Sequence, residues 1–557
     1  MQGWLLFFCL LAVHGVSQTA PGKYWVQFTD KNNSPYSINQ PSAFLSEKCI
    51  ERREWLDLGF DERDIPVNET YINQVLALGN CTLHNKSKWF NAITIATEDS
   101  ALVDLIEAFP FVSQVKSVGS YVVSDGPVDV DKFYAEKELK SLQQDELCCD
   151  YSEYGPSLRQ IEMLNGHLIH QLGYTGKGVD VALFDAGWGG TDQLPAFSKL
   201  RDEGRIIMTR DFVYHESVFN RSTHGTFVLS TMAGIIADSL IGTAPDANYY
   251  LFRTEDPLSE YPVEEDNWVA AAEFADSLGI DVINSSLGYS TFDDELLNHS
   301  YADMDGNTTR CSIAADIAAS KGLLVVNSAG NSGNNPWHYL TAPSDADSIL
   351  CVGAVDKDLN HAFFSGYGPS SDGDVKPDVV TMGLATVYAA LDSTIATGNG
   401  TSFSSPILAG MVACLVQAFP KKLNMDVIEA VRESASQYST PDDSLGYGVP
   451  DFLKAWLLLA NSEDQLTGDF EMLLYPNPCV DQMTMFLHDA KWCNVAYEIY
   501  DASGHRVFDG YGIAGDGNAG FVHLDDAIRN LSPGNYVLHA GYAGRHSIAH
   551  FQKCNKP

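Results

Sequence analysis

Between residues 156 and 461 the chain alternates short, almost unbroken apolar runs with helical stretches, and no other feature narrows its fold as much. The runs are VDVALFD, DVINSSLG, GLLVVNSAG and SILCVGAV. A strand with one wet face alternates apolar and polar residues, whereas unbroken runs suit strands covered on both faces, as in a parallel sheet. WVAAAEFADSLG and CSIAADIAAS lie between the runs with helical spacing, and DVIEAVRESASQY and SLGYGVPDFLKAWLLLA follow them. The prediction is an α/β unit over residues 156–461, a mostly parallel sheet with helices on both faces.

Two smaller units flank it. Residues 18–122 hold KYWVQFT, the amphipathic SAFLSEKCIERREWLDLG, two strands in VLALGNCTLHNKSKWFNAITIAT, then ALVDLIEAF and VSQVKSV. That order, βαββαβ, is a small α+β split βαβ sandwich. Residues 123–155 are charged and aperiodic and read as a linker. After the polar connector NSEDQLTGDF, residues 472–557 alternate apolar and polar positions between turn signals, which predicts a small antiparallel β-sandwich.

Residues 1–17 carry an apolar core from Trp4 to Val13 and small residues at Gly15 and Ser17, the pattern of a secretory signal peptide. The core is too short to span a membrane, and no later run of about 20 apolar residues suggests a span. The formal net charge of −39 argues against binding nucleic-acid phosphates and suits a secreted or cell-surface protein. Eleven cysteines without a CxxC pair give no zinc spacing. An oxidising compartment permits disulfides, and Cys479 with Cys493 is the local candidate pair. A monomer is expected.

In an open parallel sheet, reactive groups collect beyond the carboxyl ends of the strands. Three polar residues sit at or near such ends: Asp185 after VALF, Asn331 after LLVVNSAG, and His224 at the head of the small-residue helix HGTFVLSTMAG. Taken singly, Asp185 reads equally as a helix cap, His224 as structural and Asn331 as a turn residue. NGTSFSSP, residues 399–406, crowds four hydroxyls ahead of the apolar run ILAGMVACLVQAF, and on local pattern they read as caps.

Together, VALFDAG, HGTFV, NSAGNSG and GTSFSSP resemble, in order, the four signature blocks of the subtilisin-like (S8) serine peptidases. The resemblance implies that Ser402 is the nucleophile, His224 its base, Asp185 the group that orients the imidazole, and Asn331 an oxyanion donor. Thr401, Ser404 and Ser405 are then left to cap and pack. It further implies substrate-binding walls at Ser286, Leu287 and Gly288 and at Ser328, Ala329 and Gly330, with Thr341 near the pocket base. The chemistry requires no cofactor. DMDGN places Asp303, Asp305 and Asn307 at a spacing that suits a structural calcium ion, or an acidic surface loop. By position and element order, residues 18–122 resemble the family's prodomains, which act as intramolecular inhibitors, and 123–155 is then the processing region. YPNP and LSPGNYVL make residues 472–557 similar to the type A sorting domains of cargo for the type IX secretion machinery. The implied protein is a secreted endopeptidase made as an autoprocessed zymogen and acting on proteins or peptides. The alternative is a catalytically silent binding or scaffold protein, a class that usually lacks one of the four residues present here.

Overall fold

The computed structural model describes residues 22–120, 152–461, 472–475, 477–481, 483–487, 494–513, 520–542 and 544–554. Residues 1–17, expected as a signal peptide, most of residues 123–155 and Cys493 lie outside the described residues, so the expected Cys479 to Cys493 pairing does too.

A seven-stranded sheet forms the centre, in the order Val379–Met382, Leu350–Val355, Leu324–Ser328, Val282–Ser285, Asp180–Asp185, Asn248–Arg253, Ile206–Asp211. Every neighbouring pair is parallel. The four unbroken runs occupy the middle. Alternate residues of each strand feed separate cores. Val181 and Leu183 pack with the His224–Ala233 and Thr401–Ala418 helices, while Ala182 and Phe184 pack with Val263–Leu278 and Arg310–Ser320. Ile206–Asp211, Asn248–Arg253 and Val379–Met382 were not expected as strands. The first is an edge strand whose exposed face blurs its apolar pattern, and the others present apolar stretches of only four residues or so, too short to stand out.

Strand order reverses between Asp180–Asp185 and Val282–Ser285: the chain adds strands first on one side of Asp180–Asp185, then on the other. A crevice forms at such a switch point, and Asp185 ends the strand beside it. The Thr401–Ala418 helix crosses the core, and 89% of it is buried. Among the described residues it alone is long and apolar enough to span a membrane.

The N-terminal unit is a four-stranded antiparallel sheet, ordered Cys81–Ser87, Ala92–Thr97, Gly22–Phe28, Val112–Ser120. Its helices are Glu47–Trp55, Glu69–Leu76 and Ala101–Glu107. The two strands expected in VLALGNCTLHNKSKWFNAITIAT are Cys81–Ser87 and Ala92–Thr97, and Glu69–Leu76 adds one helix to the expected order: Asn68 accepts from the Thr70 N–H and starts it. Val26, Ile93 and Ile95 meet helical Ile72, Val75 and Ile106 on one face of this sheet. The other face lies on the Val263–Leu278 helix region, where Trp25, Ala92 and Val118 meet Tyr261 and Val263.

The C-terminal unit pairs a three-stranded with a four-stranded antiparallel sheet around Leu474, Met485, Val495, Ile499 and Leu538, as its alternation predicts. Cys479 is buried, and its carbonyl accepts from the Cys554 N–H at 2.8 Å.

Candidate active site

Asp185 is wholly buried at the end of its strand. Its two carboxylate oxygens lie 2.8 and 3.0 Å from Nδ1 of His224, the first residue of the His224–Ala233 helix. A carboxylate only accepts, so Nδ1 carries the proton and Nε2 is left as the basic nitrogen. Gly225 makes this approach possible, because a Cβ there would stand 2.7 Å from the Gly187 carbonyl and 2.8 Å from the Trp188 ring.

Ser402 is the second residue of the Thr401–Ala418 helix. Its hydroxyl faces the Ser286 carbonyl at 3.5 Å, and Ser286 Oγ donates back to the Ser402 carbonyl at 3.1 Å. Ser405 donates to Asn284 Oδ1 at 2.8 Å, and Asn284 Nδ2 to Ser286 Oγ at 3.2 Å. These bonds hang the helix start from the end of the Val282–Ser285 strand. Ser285 pairs with Phe184, so the next residues, Ser286 and Asp185, lie side by side at the sheet rim, about 4.8 Å being the usual strand separation. Ser402 is fastened to one and His224 to the other.

Asn331 is exposed, just beyond the Leu324–Ser328 strand. Its Oδ1 accepts from both the N–H (2.8 Å) and the hydroxyl (3.0 Å) of Thr401. Because a backbone N–H can only donate, this fixes the amide orientation and leaves Nδ2 as its donor end. The expected capping roles are corrected here. Gly400 holds the cap position without a side-chain bond, and Ser404 bonds back to the Thr401 carbonyl. Thr401 and Ser405 reach Asn331 and Asn284 instead. The sequence signalled neither Thr401 nor Asn284 as part of the site.

A cleft of about 450 Å³ opens beside Ser402 and Asn331, walled by Ser286, Leu287 and Gly288 on one side and Ser328 and Gly330 on the other. Ala329 does not line it; it is fully buried and its N–H bonds the Val352 carbonyl at 3.0 Å. Thr341 floors the gap, its hydroxyl so close to Gly288 that a Cβ there would clash and 2.7 Å from where a Gly330 Cβ would stand. That hydroxyl is buried without a hydrogen-bond partner. Asp303 accepts from Ser300 N–H and Oγ at 2.7 Å, and Asp305 accepts from the Asn307 N–H at 2.9 Å and the Thr308 hydroxyl at 3.0 Å. These bonds are local to the loop.

Residues 176–448 match the subtilase family, peptidase S8, and residues 23–128 match the peptidase S8 propeptide domain of Bacteroidota. The chain thus contains an S8 peptidase domain preceded by an S8 propeptide domain. Subtilases are serine peptidases. Among curated relatives, the membrane-bound transcription factor site-1 protease of Rattus norvegicus is 29% identical over 322 residues, covering 55% of this chain and 28% of that protein. Subtilisin NAT of Bacillus subtilis subsp. natto is 27% identical over 311 residues, covering 54% of this chain and 73% of that protein. The chain spans just over a quarter of the length of the site-1 proteases it matches. The crystal structure of MycP1 with its propeptide removed is 22% identical with a TM-score of 0.42, covering 54% of this chain and 96% of that one.

Proposed function

We propose that the chain is a secreted serine endopeptidase, made as a zymogen that cleaves itself between the propeptide domain and the peptidase domain. The reading is carried by one observation: Asp185 grips Nδ1 of His224 while Ser402 is tied to the neighbouring strand end at the lip of a cleft that Asn331 also lines. A serine hydroxyl is a poor nucleophile without a base. His224 Nε2 takes its proton as Ser402 Oγ attacks the scissile carbonyl, and later protonates the leaving amine. Asp185 keeps the imidazole in the required tautomer and stabilises the imidazolium. Asn331 Nδ2 donates to the oxyanion, at the N-terminal end of the Thr401–Ala418 helix, whose dipole favours negative charge there. Ser286, Leu287 and Gly288 take up substrate backbone by strand addition, with the preceding side chain over Thr341. The propeptide domain stays as inhibitor until released, and residues 472–557 direct export.

A serine-directed fluorophosphonate tests the reading. Ser402 is labelled in the wild type and unlabelled in His224→Ala, and His224→Ala accumulates uncleaved chain. A protein unlabelled under all conditions is a silent scaffold.

A further inference from the structure

We propose that Arg253, buried behind the cleft, is a positioning residue: its guanidinium holds the loop that leads into His224 against the strand end that carries Asp185, and so sets the bond between imidazole and carboxylate. The inference rests on the peptidase reading and adds a determinant of rate that lies outside the cleft.

Arg253 ends the Asn248–Arg253 strand and is the register partner of Asp185. Tyr249 and Leu251 share a core with Val181, Leu183 and the helical residues Val228 and Leu229. By alternation, Arg253 and Asp185 therefore project to that same face of the sheet, where His224 stands. The guanidinium is wholly buried, where a charge persists only when it is paired and hydrogen-bonded. Nε donates to the Ala186 carbonyl at 2.9 Å, Nη1 to Asp211 at 2.8 Å, and Nη2 to the backbone carbonyl (2.7 Å) and side-chain oxygen (2.6 Å) of Asn220. Ala186 follows Asp185, Asn220 lies shortly before His224, and Asp211 closes the strand from which the chain runs to His224. One side chain thus ties together the approaches to the acid and to the base.

Residues 212–223 reach His224 without a helix or strand of their own, so the base needs another restraint. Backbone bonds zip this loop to the one after Asp185: Trp188 N–H to the Val218 carbonyl at 2.8 Å, Gly189 N–H to Ser222 at 2.9 Å, and Gly225 N–H to Gly187 at 3.0 Å. A Cβ at Gly187 would stand 2.8 Å from the Asn220 carbonyl, so the two loops touch with no side chain between them. Those bonds join the loops to each other, and Arg253 joins both to the rim of the sheet. Asp211, the anion that balances Arg253, also accepts from the N–H groups of Val213 (2.8 Å), Tyr214 (3.1 Å) and Glu216 (3.1 Å), and so folds the first half of the loop. A planar guanidinium fork serves acceptors in several directions at once, which an ammonium group does not. The stake is rate, since a misplacement of about 1 Å among reacting groups costs about 10²-fold.

The experiment uses the full chain after self-processing, with competent sites counted at the endpoint of fluorophosphonate labelling of Ser402. Arg253→Lys keeps the charge opposite Asp211 and removes the fork. We expect its kcat per labelled site to fall about ten- to a hundredfold with KM nearly unchanged, and its labelling rate to fall in parallel, since both need His224 in place. Asn220→Ala, at an exposed position, removes one of the guanidinium's bonds and should lower kcat per site about threefold. Arg432 is the matched control: it donates to buried Asp378 at 2.8 Å at the opposite end of the sheet. Arg432→Lys should lower Tm and leave kcat per site at the wild-type value. An unchanged kcat per site in Arg253→Lys overturns the inference, even if Tm or the number of labelled sites falls, because Arg253 would then only hold the fold. If Arg253→Lys does not fold, Asn220→Ala decides, and a wild-type kcat per site in it overturns the inference. Absence of labelling in the wild type sinks the peptidase reading itself.

Discussion

The side-chain amide of Asn331 is divided between two tasks, its oxygen held by Thr401 and its nitrogen left to donate. Asn331→Ala removes the donor, so kcat should fall about 10²–10³-fold, roughly 2.7–4 kcal/mol, with little change in KM in steady-state hydrolysis of a chromogenic peptide. Thr401→Ala removes one of the two bonds that hold the amide and leaves the backbone N–H bond in place, so kcat should fall only a few-fold, again without moving KM. Asp185, His224, Asn331 and Ser402 were legible because each sits in a short block with glycine close by, beside an apolar strand or helix. Thr401 was not, because nothing in GTSFSSP says which hydroxyl folds back onto a loop 70 residues earlier. Thr341 was placed near the pocket, but its size there became meaningful only with Gly288 and Gly330 around it. Thr341→Gly deepens the pocket, and the preference for Phe over Ala before the scissile bond should rise about tenfold in a peptide digest read by mass spectrometry.

The Val263–Leu278 helix shows why an interface between elements can be invisible in sequence. Glu264, Glu265, Asp266, Glu273 and Asp276 look like a solvated face, yet all five are buried. Much of that face lies under the propeptide domain. Ser87 and the N–H groups of Lys88 and Trp89 donate to Glu273, and Asp276 takes ion pairs from Arg53 (2.8 Å), Arg52 (3.1 Å) and Lys88 (3.2 Å). Burial raises the Asp276 pKa, but the three cations win and hold it at about 2. Asp276→Ala strands wholly buried Arg53 with one partner fewer. The cost of about 3–5 kcal/mol should loosen the cleaved propeptide domain by about 10²–10⁴-fold, read as peptidase activity recovered on dilution. Two titrations in this interface oppose each other. Burial, with Lys23 adding, pushes His84 from 6.5 to about 3, so association weakens as pH falls below 6.5. Burial pushes Glu273 from 4.5 to about 7, so its contribution to association is full below 4.5 and lost as pH rises through 7. Between these limits the wild type should vary little with pH. In His84→Gln the Glu273 titration acts with less opposition, and inhibition by the propeptide domain should tighten as pH falls from 7 toward 4.5.

At the scale of the molecule, alternation alone revealed the C-terminal β-sandwich but not how it joins the peptidase domain. Leu473 and Phe486 of the sandwich pack into the same core as the Phe452–Asn461 helix. The Tyr475 hydroxyl accepts from Asn165 at 2.6 Å and donates to Asp451 at 2.9 Å. Asp451 also accepts the Lys454 N–H at 3.0 Å, so the tyrosine is coupled to the start of that helix. Periodicity cannot announce such a contact, since its three side chains come from residues 165, 451 and 475. No residue named along the substrate cleft belongs to the sandwich, so docking and catalysis should separate on mutation. Deleting residues 472–557 uncovers apolar surface on the peptidase domain and should lower its Tm while leaving kcat/KM close to that of the full chain. If those residues also direct export, the truncated protein should accumulate in the periplasm. Tyr475→Phe distinguishes the two roles. It removes one hydroxyl and two hydrogen bonds, at a cost of about 1–3 kcal/mol, and should lower Tm by several degrees, at roughly 2–4 °C per kcal/mol, while export stays normal. Export lost in Tyr475→Phe would mean that secretion reads the docked geometry rather than the sandwich itself, and calorimetry beside cell fractionation of the same two variants decides it.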